Sequence, residues 1–126
     1  MTNIENVCAA APHFGGYFID RLALVRGAEG DTLDVGLHWG PQKPDYYLSF
    51  ERLYYFSISR FPGPDAEPLD KVEATILEPG DEPWPVGLSV NARRSLSLPR
   101  LLWFRTEGPV RLVVVAAVAT MFTENA

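Results

Sequence analysis

The chain has 126 residues, 47% of them hydrophobic, enough for one domain that buries a core without disulfide or metal staples. Its net charge of −5 argues against nucleic acid as a partner, because phosphate contacts need an excess of Lys and Arg. The lone Cys8 excludes an intramolecular disulfide and suits a reducing compartment, so a cytoplasmic protein is expected.

Met1 to Ala11 lacks the basic start and long apolar stretch of a secretory signal. Residues 1–13 carry little periodicity and read as a partly ordered lead-in to a single β-rich domain over 14–126. Gly15-Gly16 then releases a strand, Tyr17 to Arg26, whose imperfect alternation suggests a bulge near Asp20-Arg21. Gly27, Gly30 and Asp31 make a turn. In the next strand Leu33, Val35, Leu37 and Trp39 alternate with Asp34, Gly36 and His38, which gives one buried and one wet face and a hairpin with the strand before.

Past the Gly40-Pro41 and Pro44-Asp45 loop, Tyr46, Leu48 and Phe50 form the inward set of a third strand. Glu51-Arg52 reads as a tight turn or a bulge, and Tyr54, Phe56 and Ile58 continue the inward set, alternating with Tyr55, Ser57 and Ser59. Phe61 to Asp65 breaks the chain, after which Val72, Ala74 and Ile76 predict another strand. Glu78 to Pro85, with three prolines and Gly80, is a long acidic connection. Val86, Leu88 and Val90 predict a short strand, Pro99 confines any neighbour to an edge, and Leu101 to Phe104 is an apolar patch.

Gly108-Pro109 turns the chain into Val110 to Phe122, the stretch around which the rest is expected to pack. Its near-absence of polar residues calls for cover on both faces, as in a central strand. Thirteen residues are too few for the ~20 of a membrane-spanning helix, so no membrane partner is expected. Ala116, Ala117 and Ala119 would suit a buried helix, but Val113, Val114 and Val115 in succession favour the extended form. About eight strands with turns between them predict an all-β fold, an antiparallel meander curled into a sandwich or open barrel. The alternative is α+β with one helix near 92–102.

Chemistry-bearing motifs are sparse. His38 sits on a wet strand face and His13 in the lead-in, and a Cys8/His13 dyad would lack the held geometry that nucleophile activation requires. The serines stand in no Gly-x-Ser-x-Gly turn, and no phosphate loop, zinc spacing or calcium loop is present. Asp81 and Glu82 match no ligand pattern. No catalytic residue, cofactor or metal is therefore expected, and the protein is read as a non-enzyme.

Aromatics and acids are the stronger lead. Tyr and Trp on both faces of their strands fill a small β core, or reach the surface as a contact patch, and Tyr47, Tyr55 and Trp84 are the candidates for the latter. Between Glu51 and Asn91 eight acids face three bases, while five arginines from Arg93 onward face two acids. The two halves can neutralise one another, or the acidic loops carrying Asp65, Glu67, Asp70, Asp81 and Glu82 can steer a basic protein partner.

The Val35, Leu37, Trp39 strand, followed by Tyr46, Tyr47, Leu48, Phe50 and then Phe56 and Ile58, resembles small bacterial β-rich proteins of the YxiG-like and polymorphic-toxin immunity type. The Gly108-Pro109-Val110-Arg111 opening and the valine run after it are similar as well. Where that family carries a His-Asp pair before the first strand, this chain has His13-Phe14 and Ile19-Asp20. The resemblance implies a stoichiometric binder that occludes a partner protein, as in toxin–antitoxin pairs, without cofactor or catalytic residue. Two other functions fit the pattern: a small-ligand carrier or enzyme in a barrel mouth around Tyr54, Trp103 or Arg105, and a structural subunit of a homo-oligomeric or phage-like assembly.

Overall fold

The computed structural model describes residues 4–28, 30–59, 68–78 and 100–124. Within them, one six-stranded antiparallel sheet runs in the order β1-β2-β3-β6-β5-β4. The strands are β1 Phe18–Val25, β2 Thr32–His38, β3 Asp45–Ile58, β4 Lys71–Leu77, β5 Leu101–Glu107 and β6 Leu112–Glu124. The order resolves into two three-stranded meanders, β1-β2-β3 and β4-β5-β6, joined through their last strands. The valine-rich run is thus the central strand expected of it, with β3 on one side and β5 on the other.

The long β3–β6 ladder explains how one sheet encloses a core. Leu48 pairs with Met121 and Phe50 with Ala119, all facing inward, and further along Leu53 pairs with Ala116, again inward. Two residues on each strand, Glu51-Arg52 and Ala117-Val118, lie between, so the inward set changes parity there. Arg52 takes the left-handed conformation, φ 55°, and the register slips between Leu53 and Tyr55. Such irregularities bend a strand sharply and raise its twist. Of the tight turn or bulge expected at Glu51-Arg52 there is no turn, and Tyr46–Phe50 and Tyr54–Ile58 belong to one bent strand. Tyr54, read as inward, is the extra residue of the slip and is exposed.

Bending folds the inner faces of both meanders onto a shared core of Leu33, Val35, Leu37, Leu48 and Phe50 from one side and Val72, Leu102, Phe104 and Val114 from the other. The Phe50 and Phe104 rings meet across it at 5.2 Å. At one corner the sheet nearly closes: Gly16 donates to Leu69 O at 2.8 Å and Leu69 donates to Tyr17 O at 2.9 Å, linking the approaches to both edge strands.

The expected lead-in is instead part of the fold. Helix α1, Ile4–Ala10, and a 3-10 turn, Ala11–Phe14, bury Ile4, Val7, Ala11 and Phe14 in the core. Their 3-4-3 spacing places all four on one helical side. Helix α1 packs on β4, β5 and β6, where Cys8 Sγ donates to Ala74 O at 3.3 Å. An Arg100 guanidinium bridging Glu5 of α1 and Glu78 beyond β4 adds a surface tie. Both acceptors raise the Arg100 pKa above its ordinary value. The predicted strand over Val86–Val90 lies outside the described residues, as does most of the alternative helix near 92–102, whose last two positions, Leu101 and Leu102, begin β5.

Candidate functional site

The outer face of the first meander is built by register. Gly36 of β2 pairs with Arg21 of β1 on one side and Tyr47 of β3 on the other, and Tyr47 pairs with Phe122 of β6. Arg21, Gly36, Tyr47 and Phe122 thus form one transverse row over four strands. The next row, Ala23, Asp34, Ser49 and Thr120, lies two residues further along, about 7 Å away. Directly paired residues share a face.

Gly36 opens a dip in this row. A Cβ there would lie 2.7 Å from Asp20 Oδ1, 3.0 Å from Arg21 Cβ and 3.4 Å from Tyr47 Cε1. The register slip between Ile19 and Arg21, the bulge expected at Asp20-Arg21, is what crowds Asp20 and Arg21 against that position. The result is an open cavity of about 280 Å³ lined by Arg21, Asp34, Val35, Tyr47, Leu48, Ser49 and Phe122. Phe122 is 58% exposed at its rim, the most exposed of the large hydrophobic side chains among the described residues. Neither Arg21 nor Asp34 has an ion-pair partner among the described residues, although they stand on adjacent strands of the same face.

A third row closes the site. His38 Nδ1 lies 2.7 Å from Asp45 Oδ1, tying the end of β2 to the start of β3, with both groups partly open to solvent. Beside them Lys43 Nζ sits 3.9 Å from the Trp39 ring centroid, and Tyr17 donates its hydroxyl to Pro44 O at 3.4 Å. Burial, with Tyr46 and Asp45 nearby, raises the Tyr17 pKa above 10.0. Among the described residues of this half, Asp20, Asp31, Asp34, Asp45 and Glu51 outnumber Arg21, Arg26, Lys43 and Arg52 by one, so its surface carries both signs of charge.

The other meander presents a filled face. Its rows are Thr75, Trp103, Val115 and Tyr55, then Glu73, Arg105, Val113 and Ser57. Arg105 covers the Trp103 ring at 4.0 Å and donates to Thr75 Oγ1 at 3.2 Å. Lys71 meets Glu73 at 2.6 Å, which lowers the Glu73 pKa and raises that of Lys71. Tyr55 and Trp103 pack on the buried Leu77, Leu101 and Val115.

Of the predicted contact residues that are described, Tyr47 alone lines the open cavity. Tyr55 faces outward from the same strand, but eight residues on, roughly 25 Å away, and is half-buried in the second cluster, so the two do not form one patch. Asp70 is exposed at the approach to β4, where its N–H donates to Glu107 O at 2.9 Å. Trp84, Asp65, Glu67, Asp81 and Glu82 lie outside the described residues. Tyr54, Trp103 and Arg105 do not converge on a barrel mouth: Tyr54 is exposed at the bulge, and Arg105 lies over Trp103. Arg21, Asp34 and Phe122 were missed. A glycine within an otherwise alternating strand marks such a site, since it signals a bulge or close approach.

Among the described residues, no group of three or more His, Cys, Asp and Glu could hold a metal ion, and no helix is long and apolar enough to cross a membrane. No family model, curated protein or solved structure matches the chain.

Proposed function

We propose that the chain is a protein-binding module that recognises a basic partner surface through the outer face of its first meander, with Phe122 and Tyr47 as the apolar anchors. The observation that carries this reading is the Arg21, Gly36, Tyr47, Phe122 row, where an exposed ring and a dip stand beside an acid, Asp34, and a base, Arg21, that have no ion-pair partner among the described residues. Aromatic side chains flanking a shallow recess are what interface centres are made of, and charged groups beside it, here Asp34 and Arg21, set encounter rate and specificity. A face of this kind acts by covering what it binds, which is the stoichiometric, immunity-like action implied by the resemblance. Cytoplasmic placement is part of the same proposal, since the half-buried Cys8 thiol is free.

The test is affinity purification of the tagged chain from its native cells, followed by titration of the purified partner against Phe122→Ser and Asp34→Lys. Loss of a central ring costs about 2 kcal/mol or more, roughly 30-fold in Kd. Asp34→Lys weakens binding most at low salt. Unchanged affinity in both variants rejects this face as the contact.

A further inference from the structure

Opposite charges on neighbouring strands of one sheet face can reach one another, and on the second meander Glu73 meets both Lys71 and Arg105. The dip of the first meander departs from this. Arg21 pairs with Gly36 and Ala23 with Asp34, so Arg21 and Asp34 are diagonal neighbours across β1 and β2. Both line the cavity, yet neither has an ion-pair partner among the described residues.

The groups around them are sorted by strand. Arg21 stands on one side of Gly36, and Tyr47 stands on the other, about 10 Å away across two strand spacings, with Phe122 beyond it. Asp34 pairs directly with Ser49, and the bulge brings a second carboxylate to the edge of the dip, where Asp20 Oδ1 lies 2.7 Å from the position of a Gly36 Cβ. The recess thus holds a base on one side, acids and a hydroxyl on the other, and an aromatic wall.

We propose that this recess binds a free α-amino acid as its zwitterion, with the ammonium at Asp34, the carboxylate at Arg21 and an apolar side chain against Tyr47 and Phe122. A ligand of single charge is drawn to one of these groups and repelled by the other, whose backbone lies only about 7–8 Å away on the diagonal. A zwitterion gains at both. The ammonium has three protons to donate, and Asp34, Asp20 and the Ser49 hydroxyl supply acceptors, while the Arg21 fork suits the two oxygens of a carboxylate. The side chain covers Phe122, which is 58% exposed. A cavity of about 280 Å³ falls just below the range of about 300–1,000 Å³ that holds drug-sized ligands, so a smaller molecule fits it. Nothing in this assignment needs a partner protein, so it goes beyond the partner-binding reading and does not rest on it.

The test is titration of the isotope-labelled full chain with L-phenylalanine, followed by nuclear magnetic resonance. The Gly36 and Tyr47 amide signals are expected to shift saturably, with a Kd on the order of 1 mM for so open a site, while the Trp103 signals stay in place. N-acetyl-L-phenylalanine keeps only the negative charge and L-phenylalaninamide only the positive one, and each should bind about fivefold more weakly. Arg21→Gln should bring the amino acid down to the affinity of its amide, and Asp34→Asn to that of its N-acetyl form. No saturable shift at tens of millimolar overturns the proposal. So does a blocked form that binds as tightly as the amino acid, or unchanged binding in either variant.

Discussion

The two meanders share a topology, a core and a joining ladder, yet their outer faces are opposites. In the first, the row crossing the middle strand reads Arg21, Gly36, Tyr47, Phe122; in the second it reads Thr75, Trp103, Val115, Tyr55. Gly36 and Trp103 hold corresponding places on β2 and β5. One leaves a dip between charged neighbours, and the other fills its row and is capped by Arg105. The same backbone frame thus gives an open face or a closed one according to a single central residue on each side. The closed face buries Leu101 and Val115 completely, so it contributes to stability. The open face leaves Phe122 in solvent, where it contributes little to folding and is free to act in binding.

The contrast can be broken first where the halves are joined. Phe104→Ala removes one ring of the Phe50–Phe104 contact at a site 1% exposed and is expected to cost about 3–5 kcal/mol. Chemical denaturation should show both halves unfolding in one transition; two separated transitions would mean that they do not share a core. Next in size is Gly36→Val, which forces atoms into the 2.7 Å and 3.0 Å contacts at Asp20 and Arg21 and should cost about 2–3 kcal/mol while filling the dip. Thr106→Val should cost about 1–2 kcal/mol, because the buried hydroxyl donates to Val110 O at 2.9 Å and accepts from Leu112 N at 3.0 Å. The smallest stability effect belongs to Phe122→Ser, within about 0.5 kcal/mol, in the variant expected to lose partner binding.

Alkaline titration sharpens the first half specifically. Tyr17 has its pKa raised in the fold by burial and by Tyr46 and Asp45, so it favours the folded state fully below its ordinary value of 10.0. That contribution is lost as pH rises through the higher folded value, when the buried phenol must ionise. Unfolding midpoints should therefore fall more steeply with alkali in the parent chain than in Tyr17→Phe. The exposed Lys71 and Glu73 pair of the second half is screened by solvent and should leave no comparable step.

Much of this was legible locally. Alternation from Leu33 to His38 gave β2 with its faces correctly assigned, mixed alternation at Asp20-Arg21 gave the bulge, and three consecutive valines gave the central strand. The helix was missed: residues 1–13 read as a lead-in of little periodicity, because a seven-residue helix offers little pattern and draws its stability from packing, although Ile4, Val7, Ala11 and Phe14 are spaced for one helical side. What local pattern cannot carry is the β3–β6 register, a pairing of segments about seventy residues apart in the chain. That register puts Phe122 beside Tyr47, and the parity change at Arg52 turns Tyr54 out to solvent. Tyr55 was separated from Tyr47 for the same reason, since only the pairing shows which row each joins.

The most direct measurement is hydroxyl-radical footprinting of the free chain and of its complex with the captured partner. The account predicts that Phe122 and Tyr47 are readily modified in the free chain and become protected in the complex, while Tyr54, exposed at the far bulge of β3, reacts equally in both. Protection at Tyr54 or Trp103, with Phe122 still reactive, would contradict it and move recognition to the other half.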